Sequence, residues 1–429
     1  MSKLHKINNV AIVGAGIMGC GIAQVVLLSG YQKVVLIDMS EKILMKARES
    51  IQLWIQSLNT EERFNELIAN DYVMQNVMKN TTFEEIRNSF KSVGILAENF
   101  TVDEIIDRLT CTVNLKKAVS DSDFIIEAIP ENLDLKLEIF KQLSEYSPSH
   151  AILASNTSTM SPSKLSQSTD RPDKVIGMHF HGSFPIRGRL IEITGGNRTT
   201  DEALSLGYQV AEKCPSIAGD RFILRLKKET PGFVANRLTL ARAIHLNWIL
   251  DKAVEQGISI EQLLAGGLRL IGLDIVGLDT IYNTWKYLEE NLSLDFAPGE
   301  VITNLVRKGH LGKKKGKGFF EWKEGKPMIK EVPVDDKTKE FLTVNRDKNL
   351  ALAIRMNEAC RLIEEGVIKG YETINRVDTV GDNRQKTFVL GWEKYKEWSQ
   401  ILEKFAKKLG KPYLKPCDMM KFGRFKDFP

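Results

Sequence analysis

Cysteine is scarce in this chain, and its arrangement excludes more than its number does. Cys20, Cys111, Cys214, Cys360 and Cys417 are scattered along 429 residues with no CxxC pair. An odd, dispersed set fits neither a disulfide framework nor a zinc site, and it implies free thiols in a reducing compartment. Histidine is sparse too, six in all and without HExxH spacing, so no dedicated metal site is expected. No run of about 18 apolar residues occurs, which leaves nothing to span a membrane. The opening residues, MSKLHKINNV, lack the apolar core of a signal peptide, so the expected location is the cytoplasm. Charge of one sign is also lacking, since 60 lysines and arginines against 55 acids leave a net charge of +5. That excess is too mild for a nucleic-acid footprint, although a weak positive field helps attract an anionic substrate.

What the chain does contain is concentrated near its start. Residues 10–38 read VAIVGAGIMGCGIAQVVLLSGYQKVVLID. An apolar run from Val10 to Val13 meets Gly14-Ala15-Gly16-Ile17-Met18-Gly19, a helical pattern covers Ile17 to Leu28, and a second apolar run, Val34 to Ile37, ends in Asp38. Strand, glycine turn, helix, strand and acid are the parts of a dinucleotide site. Gly14 permits the tight turn, Gly16 lets a pyrophosphate approach the backbone, and Gly19 lets the helix pack on the sheet. The helix N-terminus offers unpaired N–H groups to the phosphates. Asp38, 19 residues past Gly19, suits the adenosine ribose hydroxyls and would repel a 2′-phosphate, so the expected cofactor is NAD.

The length allows two or three domains. Residues 1–229 are expected to form a Rossmann-type α/β domain, with a helical excursion over about 50–110 in which Thr101 and Glu104 make a capping box. Further strands are expected at Phe124–Ile129, Ile152–Ala154, Lys174–Phe180 and Leu190–Thr194, giving a mainly parallel, doubly wound sheet. After Thr230-Pro231-Gly232 the pattern turns helical, which predicts all-α parts at 230–325 and 337–429 with a polar connector between them. A faint repeat links Leu240–Ser259 with a stretch starting at Leu352, each ending in a natural helix-terminating glycine, Gly257 and Gly366.

Four segments offer chemistry. Ser155-Asn156-Thr157-Ser158-Thr159 follows a strand end, where open α/β sheets place ligands, although such hydroxyls also cap helices. Gly177-Met178-His179-Phe180-His181 supplies an imidazole able to take a hydroxyl proton. Glu192, flanked by Leu190, Ile191 and Ile193, reads as a buried acid in need of a partner, and a histidine would serve. In Pro231-Gly232-Phe233-Val234-Ala235-Asn236-Arg237, Asn236 lies about one turn into a helix and could bond a substrate oxygen. Each segment alone also has an ordinary structural reading.

The order of these motifs resembles the 3-hydroxyacyl-CoA dehydrogenase family from the N-terminus to about Trp322, and the tail resembles the second C-terminal module of its longer members. The resemblance implies NAD-dependent oxidation of a 3-hydroxyacyl-CoA to a 3-oxoacyl-CoA, as in β-oxidation, with His179 as general base and Glu192 stabilising its imidazolium. It implies that Ser158 and Asn236 bond the substrate oxygen, that Glu131 and Lys136 lie on the nicotinamide side of the cofactor, and that Gly14, Gly16, Gly19 and Asp38 hold its adenosine and pyrophosphate. It also implies a homodimer and an acyl-CoA bound between the domains.

The chain departs from the family pattern near the site. HFFNP becomes His179-Phe180-His181-Gly182-Ser183-Phe184, and the interval from His179 to Glu192 is one residue longer, which implies a bulge or an altered loop. His181 is therefore a competing base. Gly267–Asp274 lacks the family's proline, and the segment before PGF carries Arg221, Arg225, Lys227 and Lys228, either as phosphate contacts or as a solvated loop. A dehydrogenase of a non-CoA 3-hydroxy acid and a redox-inactive NAD-binding protein remain the alternatives.

Overall fold

The computed structural model describes residues 6–69, 82–85, 88, 101–182 and 184–429. Part of the expected helical excursion, and Ser183 of the rewritten segment, lie outside the described residues. The chain divides into two compact units, Met1–Glu229 and Thr230–Pro429.

The first unit is an eight-stranded sheet in the order β3-β2-β1-β4-β5-β6-β7-β8. Its strands are β1 (Asn9–Val13), β2 (Lys33–Ile37), β3 (Leu109–Thr112), β4 (Phe124–Glu127), β5 (Ile152–Ser155), β6 (Val175–Phe180), β7 (Leu190–Gly195) and β8 (Phe222–Arg225). All neighbours are parallel except β6 and β7. Alternation along β1 explains why both faces are covered: Val10 and Ile12 enter one apolar core, Ala11 and Val13 the other. The first core takes the apolar helix α1 (Ile17–Leu28) and Trp54 of α2 (Glu41–Ser57), while the second takes Phe140 and Leu143 of the helix Leu133–Tyr146. Thr101 and Glu104 form the capping box of a short helix, Val102–Ile106.

Two strands of this sheet were not legible. β3 ends the excursion at residues expected to be helical, and its four-residue length gives too little period to read. β8 lies in the charged segment before PGF, where Arg221 and Arg225 bracket an apolar Phe222-Ile223-Leu224 that pairs with β7.

The second unit is helical apart from a small hairpin, β9 (Glu321–Lys323) and β10 (Lys326–Met328), at the start of the expected polar connector. Residues 230–325 and 337–429 pack as one compact unit. Arg237 is buried and donates to Glu358 at 2.5 Å and to Glu365 and Tyr413, joining the two stretches. The repeat is visible as geometry. Helices Ala243–Glu255 and Leu350–Glu364 are each followed by a glycine at φ +73°, Gly257 and Gly366, with matching backbone bonds. The correspondence runs further than the sequence suggested, to Asp274-Ile-Val-Gly277 and Asp378-Thr-Val-Gly381. Both aspartates are fully buried. Asp274 accepts from the amides of Phe319 and Phe320 and from Trp322 Nε1 at 2.9–3.0 Å, which anchors the GKGFFEW segment. Asp378 accepts from Arg355 and from the Thr387 amide.

Candidate active site

The carboxyl ends of β1 and β2 carry the glycine loop and Asp38. Gly14 has φ +105°, and its amide donates to the Ile37 carbonyl at 2.7 Å. A side-chain carbon on Gly19 would lie 1.7 Å from the Gly14 carbonyl oxygen, so only glycine lets α1 start this close to the turn. A side-chain carbon on Gly16 would meet nothing within 4 Å, which leaves open space beside the backbone at the start of α1. Asp38 closes the other side, accepting from the Ala15 amide at 2.9 Å and from the Ser40 amide at 3.2 Å. Open backbone at a helix start, a carboxylate beside it and a tight turn together fit the diphosphate and ribose of NAD.

The ends of β4 and β5 form a buried ion network. Lys136 Nζ lies 2.5 Å from Glu127 Oε1, 3.4 Å from Glu131 Oε2 and 3.2 Å from the Ile129 carbonyl. Burial works against the Lys136 ammonium, but Glu127 and Glu131 outweigh it and hold its pKa above the ordinary lysine value. The remaining carboxylate oxygens organise the SNTST loop. Glu127 accepts from Ser155 Oγ at 2.5 Å, and Glu131 accepts from Thr157 Oγ1, the Ser158 amide and Thr159 Oγ1 at 2.6, 3.0 and 3.1 Å. The Ser155, Thr157 and Thr159 hydroxyls are thus spent on this network, and the next helix is capped by Ser161. Ser158 alone of residues 155–160 is not buried. Glu127 was missed in the sequence, although an acid closing the apolar Phe124-Ile125-Ile126 was its signal.

His179 and Glu192 pair across the antiparallel β6–β7 ladder. His179 Nδ1 lies 2.8 Å from Glu192 Oε2, with the side chains 5% and 0% exposed. Asn156 Oδ1 accepts from the Phe180 amide at 2.9 Å and so ties the SNTST loop to the strand that carries His179. The ladder register is regular from Ile176 to Phe180, so the extra residue sits in the loop and makes no bulge. His181 stands beyond the strand end, its ring centroid 5.8 Å from that of His179. The ligand atoms of His179, His181 and Glu192 lie within 4.8 Å of one another.

Arg221 shapes the altered loop. Its guanidinium donates to the carbonyls of Pro185, Gly188, Cys214 and Pro215, and lies 5.9 Å from the Phe180 ring centroid. Burial pushes its pKa down to about 10, with Cys214 acting the other way. Arg225, Lys227 and Lys228 are exposed, and Arg225 pairs with Asp201. The cations expected to act alike therefore divide into one enclosed clamp and three surface charges. Asn236 belongs to the second unit, in the short helix Ala235–Leu240.

A family model described as "3-hydroxyacyl-CoA dehydrogenase, NAD binding domain" matches residues 9–101 and 80–217, and one described as "3-hydroxyacyl-CoA dehydrogenase, C-terminal domain" matches 232–322. The chain belongs to the 3-hydroxyacyl-CoA dehydrogenase family. It is 31% identical over 330 residues to the mitochondrial hydroxyacyl-coenzyme A dehydrogenase of Rattus norvegicus, covering 75% of this chain and 93% of that protein. Over 229 residues it is 32% identical to a probable 3-hydroxybutyryl-CoA dehydrogenase of Bacillus subtilis, covering 52% and 77% of the two chains. A solved structure of 3-hydroxybutyryl-CoA dehydrogenase from Escherichia coli covers 98% of both chains at 20% identity and a TM-score of 0.67, a likeness of fold that includes the tail. This member of the 3-hydroxyacyl-CoA dehydrogenase family is therefore an NAD-dependent oxidoreductase. No helix among its described residues is long and apolar enough to cross a membrane.

Proposed function

We propose that the chain oxidises an (S)-3-hydroxyacyl-CoA to the 3-oxoacyl-CoA, with His179 as the base. The observation that carries this reading is the 2.8 Å contact between His179 Nδ1 and a fully buried Glu192 carboxylate. A carboxylate on Nδ1 fixes the tautomer with the proton there and makes Nε2 the accepting nitrogen. NAD, when bound, supplies the hydride acceptor. Nε2 takes the substrate hydroxyl proton as the carbon–hydrogen bond breaks, and Glu192 stabilises the imidazolium that forms. In reverse, the same nitrogen returns the proton to the ketone oxygen. Ser158 is assigned to hold the substrate oxygen in line, and Asn236 to donate its amide to the same substrate. Positioning of this kind contributes as much as any single charge.

Glu131 and Lys136 are assigned to the nicotinamide end of the cofactor through the loop they organise. Gly14, Gly16, Gly19 and Asp38 are assigned to its pyrophosphate and adenosine. A reducing compartment, the cytoplasm in our reading, is supported by five free cysteines. Exposed Leu294, Val344, Val389 and Phe422 supply apolar surface for a homodimer. β-Oxidation is the chemistry such an activity would serve.

Acetoacetyl-CoA with NADH is the test, run beside His179→Ala. Wild-type turnover and a fall of about 10²–10⁴-fold in the variant are expected. An unaffected variant would remove His179 from the base role. The rewritten 181–184 segment favours a second reading, a substrate without CoA. Free CoA would then fail to compete.

A further inference from the structure

The geometry points to a binding site for a divalent transition-metal ion, Zn²⁺ above all, built from His179, His181 and Glu192. The site goes beyond the hydride-transfer reading, and only its inhibitory effect rests on His179 being the base. Side chains two residues apart on a strand share a face, so His179 and His181 project together. Glu192 stands opposite His179 on the antiparallel neighbour, and the His181 amide continues the pairing by donating to the Leu190 carbonyl at 3.1 Å. Three ligand atoms of suitable chemistry therefore converge within 4.8 Å on one face of one ladder. Two imidazoles and a carboxylate form a recognised zinc donor set.

Bonds of 2.0–2.2 Å to a tetrahedral ion place donor atoms roughly 3.3 Å apart, so binding draws the three groups together from within 4.8 Å. Glu192 brings one negative charge to the site and is fully buried, so a dication there gains a desolvated counter-charge. Gly182, next to His181, is exposed. Imidazole with carboxylate selects zinc, nickel and copper over magnesium or calcium.

The ion and the reaction compete for one ring. Coordination at His179 Nδ1 displaces the Glu192 hydrogen bond and leaves the proton on Nε2. With its proton on Nε2, the ring cannot act as the base. His181, which stands where the family pattern has phenylalanine, is the residue that turns a dyad into a chelate.

The full-length chain, freed of metal with a chelator, is titrated with Co²⁺ and followed by visible absorption, with no turnover involved. Wild type is expected to develop d–d bands of a nitrogen and oxygen site without a thiolate charge-transfer band. His181→Phe and His181→Asn are each expected to lose at least the roughly 10–100-fold in affinity that even an outer-shell partner commands. Melting curves identify a variant that fails to fold, and the other then decides. Zn²⁺ is expected to inhibit NADH-dependent turnover of wild type reversibly, and to need at least tenfold more metal in the variants. Equal Co²⁺ affinity in wild type and both variants, or a thiolate spectrum, would overturn the site. Absence of turnover in wild type would sink the proposed reaction while the Co²⁺ spectra still decided the metal site.

Discussion

His179 and Glu192 occupy directly opposed positions of an antiparallel strand pair, and their side chains meet at 2.8 Å inside the sheet edge. The contact is set by register, since moving either strand by one residue would turn one of the two side chains to the other face. Glu192→Gln keeps the shape and removes the charge. Turnover is expected to fall by about 10²-fold or more, while KM for acetoacetyl-CoA stays within a few-fold. A parallel loss in KM would mean that Glu192 serves binding and not the proton.

Lys136 pairs with two carboxylates from a side chain that is 1% exposed. Lys136→Met would leave Glu127 and Glu131 with an uncompensated buried charge, at a cost of about 3–5 kcal/mol. Urea unfolding measures it. Adding Glu127→Gln to the same chain should restore part of the loss. If the double variant is the sum of the singles, the two groups do not form a unit.

The glycine loop predicts two different phenotypes. Gly19→Ala forces a carbon against the Gly14 carbonyl, so both melting temperature and NADH affinity should fall. Gly16→Ala meets no protein atom, so stability should stay near wild type while NADH binding weakens. Calorimetric melting with and without NADH separates the two. A destabilised Gly16→Ala chain would contradict the open space assigned to the pyrophosphate.

His245 is held neutral in the fold, its pKa pushed down to about 4 by burial, with Arg346, Arg242 and Lys408 repelling a proton and the Asn345 carbonyl favouring one. The unfolded chain titrates this group near 6.5. Between those values the unfolded state binds more protons, so this contribution is complete above about pH 6.5 and is lost as pH falls toward 4. The loss is on the order of 3 kcal/mol. Urea midpoints from pH 7 to 4 should fall less steeply in His245→Gln than in wild type. Equal slopes would show that His245 charges freely in the fold.

The parts read well from the sequence were those governed by local spacing. Gly14, Gly16, Gly19 and Asp38 sit within one βαβ unit, and the helix Ile17–Leu28 was read at its observed limits. A buried acid in an apolar strand signalled a histidine partner for Glu192, and the family resemblance pointed to His179 as that partner. Partners distant along the chain were not. Nothing local marks Glu127 as the acceptor for Ser155, 28 residues on. An enclosed arginine and a solvated one look alike in sequence, which hid Arg221 among the surface charges Arg225, Lys227 and Lys228. The strand Phe222–Arg225 was lost for the same reason.

Arg221 grips the segment after His181 only by backbone carbonyls. Such a grip ignores the identity of the side chains it holds in place. The anchor points are Pro185 and Gly188, and Gly182, at φ +95°, is the rim position where glycine itself is required. A clamp that reads only backbone separates the course of the loop from the chemistry carried on its side chains.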